Sequence, residues 1–202
     1  MSPWTQSKAK RWFDFFWSVV GLCLSWPIFV LIALVIKLED GGPVFFRQER
    51  VGWRGRPFRI WKFRTMVVGA EKLGRPLTVG KDPRITRVGH WLRKTKLDEL
   101  PQLINVLCGE MSLVGPRPEV PRYVDLYSTD QRRVLELKPG ITDPASIIFR
   151  NESEVLAQVE NPERYYLEVI MPEKIRLNLE YAKQASIWSD IRVILQTIKC
   201  LF

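Results

Sequence analysis

The sequence predicts an α+β protein, mainly helical. An N-terminal re-entrant membrane helix broken at Pro27 precedes a small β-hairpin and amphipathic interfacial helices. Three observations carry this reading. Residues 15–36 form a run of 22 residues without a charge. Two β-type runs, 44–47 and 58–64, flank a Gly/Pro-rich turn. Towards the C-terminus apolar residues recur at helical spacing. Residues 1–40 are thus expected as the membrane element, and 41–202 as a body continuous with it.

As a helix the apolar run is ~33 Å long, enough to span a bilayer. It is too long for a signal h-region and lacks a small-residue cleavage pattern. Pro27 removes a backbone hydrogen bond near its middle. Ser25 is placed to help satisfy groups freed there. Lys8, Lys10 and Arg11 precede the run, and Lys37, Arg47, Arg50, Arg54, Arg56, Arg59, Lys62 and Arg64 follow it. Only Glu39, Asp40 and Glu49 oppose the second group. The positive-inside tendency draws both ends to one face, so a helix that enters, breaks and returns is favoured over a kinked span.

Alternation over 58–64 places Phe58, Ile60, Lys62 and Arg64 on one face. Two readings stay open: a basic edge strand protected from aggregation, or two cations aimed at a phosphate. Residues 67–89 read as a loop. Gly74 to Asp82 misses the Walker spacing by one residue and lacks Ser/Thr after Lys81, so it is rejected as a phosphate loop. A helix is expected to start at Asp98 as N-cap, with Pro101 in its first turn. Leu100, Leu103, Ile104 and Leu107 form its stripe, and Gly109 ends it. Gly115-Pro116-Arg117-Pro118 forms a stiff loop presenting Arg117. Residues 162–182 and 190–202 read as amphipathic helices. Trp188, Leu201 and Phe202 suit an interface, although core packing explains that pattern equally well.

The net charge of +9 and pI near 9.7 favour anionic partners. The cations alternate with Gly/Pro turns rather than lining one helix, so nucleic acid is not expected. The three cysteines are odd in number, widely spaced and lack CxxC spacing, so neither a disulfide framework nor a zinc site is supported and a reducing compartment fits. His90 is the lone histidine.

Asp98 and Glu99 stand beside Lys81, Arg84, Arg87, Arg93, Lys94 and Lys96, with only Asp82 opposing those cations. A carboxylate in that field is expected to stay ionised. A capping role alone is a sufficient structural reason for such a pair. The chemical alternative makes Asp98 a nucleophile towards phosphorus. Glu99, with Asp98 beside it, would hold Mg²⁺. Arg93, Arg117, Lys62 and Arg64 would neutralise phosphoryl charge.

The stretches GGPVFFRQERVGWRGRPFRIWKFRTM, DPRITRVGHWLRKTKLDELPQLINVLCGEMSLVGPRPE and LKPGIT, with the N-terminal RWFDF, resemble the bacterial sugar transferases, or monotopic phosphoglycosyl transferases. They cover most of residues 11–142, and the length resembles the minimal catalytic form. The resemblance implies transfer of a phosphosugar from a UDP-sugar to polyprenyl (undecaprenyl) phosphate, with release of UMP. The implied place is the cytoplasmic face of the bacterial inner membrane, at the first membrane step of a surface glycan. It implies a covalent intermediate on Asp98, Glu99 as its dyad partner, and Mg²⁺. Arg93 and the Pro116-Arg117-Pro118 element are implied for phosphate binding; a homo-oligomer is compatible. Two departures stand out. Trp26 directly precedes Pro27 where many members have Ser. Asp143-Pro144-Ala145-Ser146 replaces the frequent Gly-Trp-Ala-Gln after PGIT.

Overall fold

The computed structural model describes residues 1–70, 73, 80 and 82–200. The rejected Walker-like segment, apart from Gly80 and Asp82, lies outside them, as do Lys81, Leu201 and Phe202. Helix α1, Lys8–Asp40, leads into strands β1 (Phe45–Val51) and β2 (Pro57–Phe63). Helices α2 (Arg87–Thr95) and α3 (Gln102–Cys108) follow, then strand β3 (Ser112–Val114) and helix α4 (Pro121–Val124). Strand β4 (Gly140–Thr142) precedes α5 (Pro144–Ile148), α6 (Glu152–Ala157), α7 (Pro162–Tyr165), α8 (Met171–Lys183) and α9 (Ile187–Lys199). The α+β, mainly helical class holds.

The expected break at Pro27 is corrected: α1 is one helix from Lys8 to Asp40, with Pro27 inside it. Proline deletes one amide donor, and the remaining ladder and the packing on either side carry the helix through. Ser25 does not serve the group freed by Pro27. Its hydroxyl donates to the Gly21 carbonyl at 2.6 Å, a back-bond of the kind that bends helices. Ser7 caps the N-terminus and Gly41, at φ 69°, ends the helix.

α1 is fastened along its length. Lys10 Nζ bonds the buried Asp190 carboxylate at 2.6 Å. The Arg11 guanidinium donates to the Val106 and Leu107 carbonyls at 2.7 Å each, capping the end of α3. Asp14 accepts from the Leu113 amide of β3 at 3.1 Å. A Cβ on Gly21 would lie 3.0 Å from Leu103 of α3. Ile32 and Ile36 pack with Phe63 and Leu92 in one core cluster. At the far end Asp40 pairs with Arg64. The opposite face exposes Trp12, Phe16, Leu24, Trp26, Leu31 and Leu38. By length and composition α1 suffices to cross a membrane.

β1 and β2 pair antiparallel, Phe45 opposite Phe63 and Gln48 opposite Ile60. The hairpin is as expected, but β1 runs on to Val51. Beyond it Arg54 and Gly55 take the turn at positive φ. β3 and β4 pair in parallel, unforeseen in the sequence. They cross closely: a Cβ on Gly140 would meet the Gly115 amide at 2.1 Å, so neither position tolerates a side chain. The main core lies under α4 and α8, with Val120, Tyr123, Leu156, Ile170 and Ile175. The predicted helix over 162–182 is α7, a π turn at Tyr166–Ile170 and α8. Pro172 offers no amide at that junction, which fits the wider turn. α9 begins at Ile187, before the expected Asp190, because Ser186 and Ser189 form a capping box.

Candidate active site

Asp98 is not the cap of α3. It lies in a 3-10 turn, Leu97–Glu99, entered through Lys96 at φ 56°. α3 starts at Gln102 with Pro101 in the cap position and ends at Gly109 as expected. The Asp98 side chain is therefore not spent on backbone amides. It is 6% exposed, and its Oδ1 is sequestered without a hydrogen-bond partner among the described residues. Burial pushes its pKa up, and the charges of Lys62, Lys96 and Arg93 only partly offset this. The neighbouring cations favour the charged form as expected, but burial works against them and has the larger effect.

Glu99 has the opposite environment. Lys62 Nζ donates to Oε1 at 2.9 Å. Arg117 grips both oxygens, Nη1 to Oε2 at 3.0 Å and Nη2 to Oε1. Burial opposes the charge, but Arg117 and Lys62 together hold the carboxyl well below its ordinary range. Reciprocally, Glu99 raises the Arg117 pKa, while desolvation lowers that of Lys62.

Each group is placed by a separate local device. Lys62 is fixed by the hairpin, which Asn105 of α3 locks: its side chain accepts from the Trp61 amide at 2.9 Å and donates to the Arg59 carbonyl at 3.0 Å. Arg117 is carried by its two flanking prolines. The Pro116 carbonyl accepts from Gly140 at 3.0 Å and that of Pro118 from Arg50 at 3.1 Å. Arg93, in the last turn of α2, donates from Nε to Thr65 Oγ1 at 2.9 Å. α2 comes this close because of Gly89, where a Cβ would lie 2.0 Å from the Thr65 carbonyl oxygen.

Asp98, Glu99, Lys62, Arg93 and Arg117 thus share one electrostatic site. Arg64 is directed elsewhere. Strand β2 ends at Phe63, and both Phe63 and Arg64 are buried, so the alternation fails there. The Arg64 guanidinium takes Asp40 and the carbonyls of Pro43 and Met66. It joins the end of α1 to the hairpin.

Beyond Arg117 lies an open cleft bordered by Pro116, Arg117, Glu119, Asp143, Lys174 and Asn178. Glu119 accepts from Tyr166, with Arg50 Nη1 3.9 Å away. Asp143 is buried, accepting from Ser146 and Asn178. Neither Glu119 nor Asn105 stands out in the sequence, since Glu119 only closes the VGPRPE stretch and Asn105 lies within the apolar stripe of α3.

Among the described residues, no group of three or more His, Cys, Asp or Glu side chains converges to hold a metal. The dyad still suits a hard cation. Asp98 Oδ1 is an unpaired hard oxygen, and Glu99 Oε2 takes one hydrogen bond. Mg²⁺ is commonly bound through one or two carboxylates plus substrate phosphates.

A family model described as "Bacterial sugar transferase" matches residues 5–202. The chain is 39% identical over 202 residues to "Galactosyl transferase CpsE" of Streptococcus agalactiae, covering 95% of this chain and 41% of that protein. It is 39% identical over 197 residues to "UDP-glucose:undecaprenyl-phosphate glucose-1-phosphate transferase" of Escherichia coli, covering 94% and 39%. Over 190 residues it is 37% identical to "Uncharacterized sugar transferase EpsL" of Bacillus subtilis, covering 94% and 85%. The chain therefore spans about two fifths of the length of the first two relatives and most of the third.

Proposed function

From the chain's membership of the bacterial sugar transferase family, we propose that it moves a phosphosugar from a UDP-sugar to polyprenyl phosphate, releasing UMP. The reaction proceeds in two steps through a covalent phosphosugar on Asp98. Relatives carrying the undecaprenyl-phosphate name support the substrate pair. The observation that carries the mechanism is the asymmetry of the dyad: one carboxylate bound by two cations, the other buried and unpaired.

An oxygen of Asp98 attacks the phosphorus that bears the sugar. The bond from that phosphorus to the bridging oxygen breaks, and UMP leaves with the electron pair. A polyprenyl phosphate oxygen then attacks the same phosphorus and displaces the Asp98 carboxylate, giving the lipid diphosphosugar. Desolvation makes the attacking carboxylate more basic than an exposed aspartate. Arg117 has further N–H donors beyond those on Glu99, as does Lys62; with Arg93 they offer cationic donors to the phosphoryl oxygens. Mg²⁺ held by Asp98 and Glu99 would neutralise diphosphate charge when bound.

The membrane element and its sidedness are part of this proposal. Both ends of α1 are tied to one body, through Asp190 and Arg64. This supports an α1 whose ends share the cytoplasmic face of the bacterial inner membrane. The deciding experiment is intact mass of purified protein exposed to a panel of UDP-sugars with Mg²⁺, with UMP release measured after undecaprenyl phosphate is added. A phosphosugar adduct lost in Asp98→Asn is expected. Neither adduct nor UMP across the panel would refute the proposal.

A further inference from the structure

One residue near the dyad in the chain is left unexplained, Gln102. It is 1% exposed, and neither its amide nitrogen nor its amide oxygen has a hydrogen-bond partner among the described residues. Leaving a buried amide unpaired costs on the order of 1–3 kcal/mol per group. A methionine or leucine would fill the same space without that cost. An unsatisfied buried group of this kind calls for an explanation, and a functional role is one.

Its neighbours point to the action. Leu97–Glu99 is a 3-10 turn, Leu100 and Pro101 keep right-handed helical dihedrals, and α3 runs from Gln102 to Cys108. On such a path four residues are little more than one turn, and Asp–Gln is a pair that can hydrogen-bond across a turn. Gln102 is four residues after Asp98. Its own row runs from Glu99, bound to Lys62, to Asn105, bound to the backbone of β2. Gln102 therefore lies between two groups already fixed against the hairpin. Of the two Asp98 oxygens, Oδ1 is the sequestered and unpaired one.

We propose that Gln102 is a positioning residue for the nucleophile: its amide donates to Asp98 Oδ1 as the carboxylate turns to react. That bond aims the other oxygen, Oδ2, at the phosphorus. When Oδ2 forms its bond to phosphorus, Oδ1 becomes the carbonyl oxygen of the acyl phosphate and keeps the same donor. The donor's bridging bond breaks as described, so no proton is exchanged with Gln102. This role rests on the proposed covalent chemistry.

The test is Gln102→Met, which keeps the volume and removes both amide groups. Single-turnover adduct formation on Asp98 is expected to slow tenfold or more, with KM for the UDP-sugar within twofold and no loss of thermal stability. An idle core glutamine predicts the wild-type rate, and that result overturns the inference. Gln102→Asn, one methylene short, is expected to stay slow; a wild-type rate there also overturns it. If neither variant folds, ¹⁵N-glutamine labelling of the wild type decides. The buried side-chain amide resonance must move on Asp98→Asn, and an unmoved resonance refutes the contact. Wild-type protein that forms no adduct refutes the covalent reading instead.

Discussion

Asp98 and Glu99 are chain neighbours with opposite perturbations, and stability should report this. The folded Asp98 pKa is raised, so its contribution is complete below the ordinary aspartate value and is lost as pH rises through the raised one. At neutral pH its buried charge costs stability. Asp98→Asn is therefore expected to raise the melting temperature while abolishing the adduct; a lowered melting point would contradict the burial argument. Glu99 has the reverse sign: its contribution is present above the ordinary glutamate value and fades as pH falls through the depressed one. Glu99→Gln leaves Lys62 and Arg117 without their counter-charge. A loss of about 2–3 kcal/mol in denaturant unfolding is expected. This lies below the range for a fully buried pair, since the Arg117 side chain is 36% exposed. The charged pair itself was legible from its sequence. Which partner would take the cations was not, because that depends on what α2, α3 and the hairpin place around each.

Among the elements, α2 shows how one missing side chain positions a cation. Gly89→Ala would drive a methyl into the Thr65 carbonyl, which cannot yield as a flexible side chain would. A loss of about 1–3 kcal/mol is expected, with weaker UDP-sugar binding as Arg93 leaves Thr65; urea unfolding and KM check both. The hairpin and the end of α3 could be read in the chain because alternation, turn residues and a terminal glycine are local signals. Pairing of β3 with β4 could not. Each strand has three residues, and the partners Ser112 and Gly140 are far apart in the chain. The assignment of Arg64 failed for a related reason. Periodicity stops where the strand stops, and the competing partner, Asp40, belongs to another element.

For the whole molecule, the joint between α1 and the body is polar at its beginning and apolar further along. Lys10, Asp14 and Asp190 are all buried there, and Trp4 and Tyr181 complete the hydrogen bonds of Asp190. Lys10→Met would leave two buried acids facing each other. A loss of about 3–5 kcal/mol is expected, measured as detergent-phase melting; an unchanged melting point would show the joint to be dispensable. Sidedness has its own check. With Cys23, Cys108 and Cys200 replaced, single cysteines at Lys8 and Asp40 are expected to react with an impermeant thiol reagent from the same side of sealed vesicles. Reaction from opposite sides would rule out the shared face. The apolar length of α1 was plain in the sequence. Its attachment was not, since Asp14 to Leu113 and Lys10 to Asp190 are contacts between distant parts of the chain.

The fastening of α1 has one more consequence. Gly21 rests on Leu103, five residues beyond Asp98, and the helix is gripped again at Ile32, Ile36 and Asp40. With α1 in the membrane as proposed, how deeply it settles among the acyl chains would set the altitude of Asp98. A lipid phosphate is confined to a narrow layer of the bilayer. On the proposed chemistry, a protein whose buoyancy holds Asp98 at that level would select its acceptor by elevation, before any contact with a polyprenyl chain is made.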